Sequence, residues 1–394
     1  MKPSLFISLM TLAISAGVTG AGAQAHQPRI PPSMAIDAKV HSLMTSTRSN
    51  GVAVAIIAGG KVQYVQAYGI RNATGQPLTT STVMYGASIT KAVFAYLALQ
   101  QVDAGKIKLD TPIAEYLAKP LPDYGQDPDI ADAYGPYTDL AGDDRWRMLT
   151  IRRLLDHSSG FANYAALEPD HKLRFHWDPG TRYAYSGEGI VLAQFVLEHG
   201  AGLDLKALSQ ADFDRLGMKR TGLLWRGEFD DNFADGWDSD GDPHPRHSLK
   251  RIRASGSMAT TITDMATFAA ALVRGDGLSP AMRSEMVKVQ MPITTESQFA
   301  TLADELPAAQ RRKGLASGLG VIVFDGPQGH GFTKGGHDNM TGNSMICIER
   351  GQRCVVILSN DVRSEIFFPD LVRFILGDIG APYDWIYGGE AGKS

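Results

Sequence analysis

Ser88 and Lys91 stand three residues apart at the head of the stretch YGASITKAVFAYLALQQ, Tyr85 to Gln101. Residues i and i+3 share a helix face, so a lysine amine there can lie over the serine hydroxyl. A serine at a helix start also meets backbone N–H groups that stabilise developing negative charge. The lysine can act as a base only if burial or a nearby cation lowers its pKa. The same spacing arises wherever a helix cap precedes a surface lysine, so the pair alone decides nothing.

Two further segments could complete a site. PGTRYAYSGEGIVL puts Tyr185-Ser186-Gly187 ahead of a helical run, and GFTKGGHDNMTGN puts Lys334-Gly335-Gly336 after a strand-like one. Tyr185 could share or relay the serine's proton. Lys334 would add a positive charge that lowers the pKa of Lys91 or Tyr185 and holds an anionic group. Gly335 and Gly336 would let substrate approach the strand backbone closely. The N–H of His337 then offers a second oxyanion donor beside that of Ser88.

In this order the segments resemble the serine β-lactamase and penicillin-binding-protein superfamily. The branch is that of class C β-lactamases, D,D-carboxypeptidases, D-aminopeptidases and related esterases, which carries S-x-x-K, then Y-x-N, then K-T-G or H-x-G. LDTPIAEYL, TIRRLLDHSSGF and ASGSMATTITDMATF also look like family segments, so the resemblance runs from the first strand to the last helix. It implies Ser88 as nucleophile, Lys91 as its partner, Tyr185 as the family tyrosine and Lys334 as the third-motif lysine. Gly187 and Gly335 depart from the pattern, standing where the family has asparagine and threonine. Those side chains help hold an amide-bearing substrate, while a glycine at 187 leaves room for a simple ester. The resemblance therefore implies an acyl-enzyme hydrolase that favours small esters. The alternatives are a β-lactamase or D,D-carboxypeptidase/D-aminopeptidase proper, and a penicillin-binding sensor with negligible turnover.

Other chemistries find less support. No serine lies in G-x-S-x-G, since Ser88 has Gly86 before it but Thr90 after it. His157 beside Ser158 and Ser159 reads as a turn rather than a triad. DSDGDPHPRH, Asp238 to His247, misses calcium-loop spacing and reads as a solvated acidic loop. His330 and His337 lack ligand-like spacing, and no Walker or dinucleotide glycine pattern is completed, so neither a metal nor a cofactor is expected. With 394 residues, a net charge of −4 and no dense Lys/Arg stripe, nucleic acid is a disfavoured partner. A small molecule or peptide is the expected substrate.

The elements that must carry these residues follow from pattern. Lys2, the run LFISLMTLAISAGVTG and Ala23-Gln24-Ala25 have the layout of a secretory leader over residues 1–25, implying a secreted or periplasmic protein without a stable membrane span. A catalytic domain is expected over 30–390. Ile36, Val40, Leu43 and Met44 share a helical face, and GVAVAIIAGGKVQYVQAYGI reads as a hairpin turning at Gly59-Gly60. Residues 120–147 are rich in Pro, Gly, Asp and Tyr and read as a long surface loop. MLTIRRLLDHSSGF, GIVLAQFVLEHG and TTITDMATFAAALVRG have helical spacing, the last with Thr261 and Asp264 as a capping box. Strands return in GLGVIVFD, before KGG, and in NSMICIERGQRCVVILSN, and a helix from Glu365 to Gly377 follows. The fold class expected is α+β: an antiparallel sheet flanked by N- and C-terminal helices, about 34–105 and 315–385, interrupted by a mostly helical lobe, about 106–314. Cys347 and Cys354 flank a turn symmetrically, which suits a cross-strand disulfide or two packed thiols.

Overall fold

The computed structural model describes residues 29–246, 249–299 and 301–388, so the leader expected over 1–25 lies outside the described residues. Helix α1 (Ser33–Thr47) buries Ile36, Val40, Leu43 and Met44, as their spacing requires. Strands β1 (Gly51–Ala58) and β2 (Lys61–Gly69) form the expected hairpin. Gly59 and Gly60 turn it at φ 60° and 68°, the left-handed pair that a two-residue hairpin turn demands.

The chain then leaves the sheet and returns through β3 (Met291–Pro292), β4 (Leu315–Ser317), β5 (Ile322–Gly326), β6 (Gly329–Asp338), β7 (Thr341–Ile348) and β8 (Arg353–Ser359). These make one eight-stranded sheet in the order β2-β1-β8-β7-β6-β5-β4-β3, antiparallel at every junction. The α+β class is therefore observed. Both faces of the central strands are covered, and alternate side chains feed two cores. Ala53, Ala55 and Ile57 with Val356 and Leu358 join the core around α2 (Thr90–Asp103) and the helical lobe. Val52, Val54 and Ile56 with Val355 and Ile357 pack with residues of α1 and α6 (Phe368–Leu376).

Several expectations are corrected. Residues 120–147 are not a plain loop but a string of short helical turns, Leu121–Tyr124, Pro128–Tyr134, Tyr137–Leu140 and Asp144–Met148. Leu121, Tyr124, Tyr137, Leu140 and Trp146 pin that string into the core. Apolar anchors so widely spaced leave no period to read. The run MLTIRRLLDHSSGF is helical only over α3 (Ile151–Leu155), because His157 turns the chain at φ 60°. Helix α4 (Gly187–Phe195) continues as a wide turn over Val196–Gly200. At α5 (Ile262–Arg274) the Thr261 side chain accepts the Asp264 N–H as a cap should. Asp264 does not reciprocate; its carboxylate takes the Arg220 N–H and the Thr221 hydroxyl, both at 2.8 Å, so the box is half formed. The last expected helix begins as a tighter turn, Val362–Phe367, before α6, and an unexpected α7 (Tyr383–Tyr387) follows it. Cys347 and Cys354 face each other across β7 and β8 and are disulfide-bonded. The acidic loop is largely exposed, with His244 on Asp238 at 2.6 Å.

Candidate active site

Ser88 sits in a single tight turn, Ala87–Ile89, that runs directly into α2. Ala87 before it has φ 44°. A residue with a Cβ pays on the order of 1–3 kcal/mol there, so the surroundings must hold it. They do: the Thr90 hydroxyl donates to the Ala87 carbonyl at 2.5 Å and accepts the Met258 N–H at 3.1 Å. The Gly86 N–H donates to the Met258 carbonyl at 2.8 Å.

Helix α2 is buried on every side from Thr90 to Leu99, and Lys91 within it is 0% exposed. Its Nζ donates to Ser88 Oγ at 3.0 Å and to the Ser255 carbonyl at 2.6 Å. Burial holds its pKa below the ordinary lysine value.

Tyr185 comes from the loop leading into α4, whose first turn is capped by the Ser186 hydroxyl accepting the Gly189 N–H. The Tyr185 hydroxyl donates to Ser88 Oγ at 2.9 Å. Lys91 and Lys334 place their Nζ atoms 4.9 and 5.1 Å from the centroid of its ring. His157 occupies a turn, as expected, but its ring also packs 4.7 Å from that of Tyr185. Its Nδ1 accepts the Ser186 N–H at 3.2 Å, and burial, with the charges of Lys91 and Lys334, keeps the imidazole neutral. Sequence spacing carried no signal for this backing role, because φ and ring contact are both tertiary.

The third segment lies on β6. Lys334 is buried, donates to the Gly335 carbonyl at 2.9 Å, and burial pushes its pKa down to about 8. Hairpin turns at Pro327-Gln328 and Asn339-Met340 bound this strand, and both set the same alternation. Odd residues through Thr333 bond to β5, and even residues to Asp338 bond to β7. Pairing with β5 stops at Thr333. The N–H groups of Gly335 and His337 are therefore left on the open edge, beside the Ser88 turn.

The two glycines differ, which corrects the reading that both clear a path for substrate. A Cβ on Gly336 would lie 2.5 Å from the Gly86 carbonyl oxygen and 3.0 Å from the Ser88 nitrogen. Without a Cβ at Gly336 the strand can dock on the Ser88 turn. A Cβ on Gly335 would meet only the Asn343 carbonyl oxygen, at 3.4 Å. The space expected at Gly187 is also absent, since the ring of Tyr164 fills it.

These groups border a cavity of about 840 Å³. Leu167, Phe299 and Ile386 supply apolar wall, and Glu365 lines the side where His337 stands. His337 Nδ1 lies 2.8 Å from Glu365 Oε2; that contact raises the histidine's pKa, and burial raises the glutamate's. No arginine is among the described residues that line the cavity. His330 stands apart, held by Asp325 and the Val287 carbonyl. Tyr164, Ser255 and Glu365 were not singled out in the sequence: Tyr164 lies just past TIRRLLDHSSGF and Ser255 inside ASGSMATTITDMATF, but nothing local shows that they border the same cavity as Ser88.

A family model described as Beta-lactamase matches residues 36–376. Penicillin-binding protein 4 of Amycolatopsis lactamdurans is 26% identical over 361 residues, covering 86% of this chain and 88% of that protein. Esterase EstB of Burkholderia gladioli is 28% identical over 126 residues, 32% of this chain and 28% of that one. The structure of an octameric penicillin-binding protein homologue from Pyrococcus abyssi superposes with a TM-score of 0.68 at 20% identity, covering 87% of this chain and 77% of the other.

Proposed function

The chain belongs to the beta-lactamase family, and on that premise we propose that it is an exported serine hydrolase acting through a Ser88 acyl-enzyme, with small neutral esters favoured. One observation carries the reading: Ser88 Oγ lies 3.0 Å from Lys91 Nζ and 2.9 Å from the Tyr185 hydroxyl. Lys91, whose charged form burial disfavours, takes the Ser88 proton in its neutral form as Oγ attacks the ester carbonyl. The N–H groups of Ser88 and His337 receive the carbonyl oxygen as it becomes an oxyanion. The proton passes through Tyr185 to the alkoxy leaving group, and the alcohol departs. Water then attacks the acyl-enzyme by the same route in reverse, releasing the acid and restoring Ser88.

The cavity wall supports a neutral substrate. Beside His337 it offers a carboxylate, Glu365, and no arginine among its described lining residues, so an anionic substituent on that side meets like charge. The lysines that line the cavity, Lys91 and Lys334, stand against the Tyr185 ring. A bare Gly335 supports the same preference. Export rests on the leader read at residues 1–25, and no described helix is long and apolar enough to cross a membrane.

The test is covalent. A fluorophosphonate should add one mass to the protein at Ser88, and Ser88→Ala should lose both the label and nearly all ester turnover. Labelling that persists in Ser88→Ala rejects the assignment. A wild type with higher kcat/KM on a cephalosporin than on any 4-nitrophenyl ester makes the lactam the substrate.

A further inference from the structure

Gly187 lies directly beneath the side chain of Tyr164. A Cβ on Gly187 would fall 2.5 Å from the Tyr164 hydroxyl oxygen and closer still to its Cζ and Cε1. The volume that any side chain at 187 would need is already occupied by a phenol.

The ring hangs on a fixed frame. The Ser186 hydroxyl donates to the Ala162 carbonyl at 2.8 Å, and the Gly187 N–H to Asn163 Oδ1 at 3.0 Å. The Glu188 N–H donates to the Asn163 carbonyl at 2.9 Å, and the Ala165 N–H to Glu188 Oε1 at 2.9 Å. These bonds lace residues 162–165 to the first turn of α4, on both sides of Tyr164. The half-buried side chain lines the cavity together with Ser88, Lys91 and Tyr185.

We infer that Tyr164 is a specificity-determining residue of this site: its ring takes the subsite of a position-187 side chain, and its hydroxyl hydrogen-bonds the substrate there. The inference rests on the hydrolase reading and refines its substrate class. A carboxamide offers donors and an acceptor together and so pairs with a secondary amide. A phenol offers one rotatable O–H on a rigid ring, which suits a lone oxygen acceptor. Short-chain oxygen esters fit this wall, whereas an acylamido group finds half its partners missing and the space reduced.

Wild type, Tyr164→Phe, Gly187→Asn and the double variant Tyr164→Ala/Gly187→Asn separate the outcomes. Each is assayed with short 4-nitrophenyl esters and a chromogenic cephalosporin, and each is titrated with fluorophosphonate. Tyr164→Phe should raise KM for the short ester roughly two- to tenfold, the worth of one hydrogen bond, with kcat and labelling stoichiometry little changed. Gly187→Asn alone should lose activity on both substrates, because its side chain meets the ring. The double variant should recover activity and shift the ester-to-cephalosporin ratio of kcat/KM toward the cephalosporin by roughly threefold or more. An unmoved KM in a fully labelled Tyr164→Phe protein, or a Gly187→Asn variant as active as wild type, overturns the inference while the hydrolase reading stands. A wild type that takes no label overturns both.

Discussion

The ammonium of Lys334 lies 5.1 Å from the centroid of the Tyr185 ring, whose other cationic neighbour, Lys91, is at 4.9 Å. Two buried lysines therefore lie against one aromatic ring, and the charge of Lys91 adds to burial in making Lys334 harder to charge.

The pH dependence follows from that arrangement. Acylation needs the Lys91–Tyr185 pair to accept a proton, so kcat/KM should rise with pH as the coupled cluster, Lys334 included at about 8, loses its protons. Lys91 and Lys334 repel when both are charged, so Lys334→Met should remove a cation that opposes the charging of Lys91. The Lys91 pKa then rises and the activity limb moves to higher pH. Profiles of both proteins over roughly pH 6–10 provide the check, and a limb that stays put or moves to lower pH contradicts the role.

Gly335 and Gly336 should respond oppositely to added side chains. Gly335→Thr meets only the Asn343 carbonyl and should fold with a melting temperature close to wild type, while improving kcat/KM on a cephalosporin by a few-fold. Gly336→Ala pushes against the Gly86 carbonyl and the Ser88 nitrogen, so it should cost roughly 100-fold in turnover through a displaced nucleophile. Equal activities in the two variants would show that the strand does not dock as described.

Glu365 should set charge preference. Burial raises its pKa and His337 gains a proton more readily beside it. Above the raised histidine pKa the pair carries net negative charge. Glu365→Gln should therefore raise kcat/KM for an ester bearing a free carboxylate, relative to its neutral analogue, by roughly threefold or more, with the gain shrinking in high salt. A ratio that is unchanged at low salt removes Glu365 from substrate discrimination.

The disulfide should be structural only. Cys347 and Cys354 are 0% exposed, close a short loop with a sequence separation of 7, and do not border the cavity. Replacing both with alanine should cost about 2 kcal/mol and lower the melting temperature by several degrees, with kcat/KM within about twofold of wild type. A larger loss of kcat/KM in the folded double variant would tie the bond to the site.

Local pattern was legible wherever one stretch of chain decided its own conformation. Gly59-Gly60 imposed a hairpin turn, the 3.6-residue spacing of Ile36, Val40, Leu43 and Met44 imposed a buried helix face, and Ser88 with Lys91 lay on one helical turn by arithmetic alone. The string of turns over 120–147 was not legible, because its five anchors are held by distant core residues rather than by any local period.

The site divides in the same way. Sequence by itself singled out the candidate residues Ser88, Lys91, Tyr185 and Lys334, through motifs that each sit within a few residues. Only the tertiary structure decided their state and surroundings. Lys91 loses its solvent because α2 is enclosed on all sides, and His157 backs Tyr185 because a left-handed turn swings its ring inward. Gly187 is filled rather than empty because Tyr164, more than twenty positions earlier in the chain, is laced across it. Desolvation and steric overlap depend on which atoms come within a few ångströms, and sequence separation does not encode that distance.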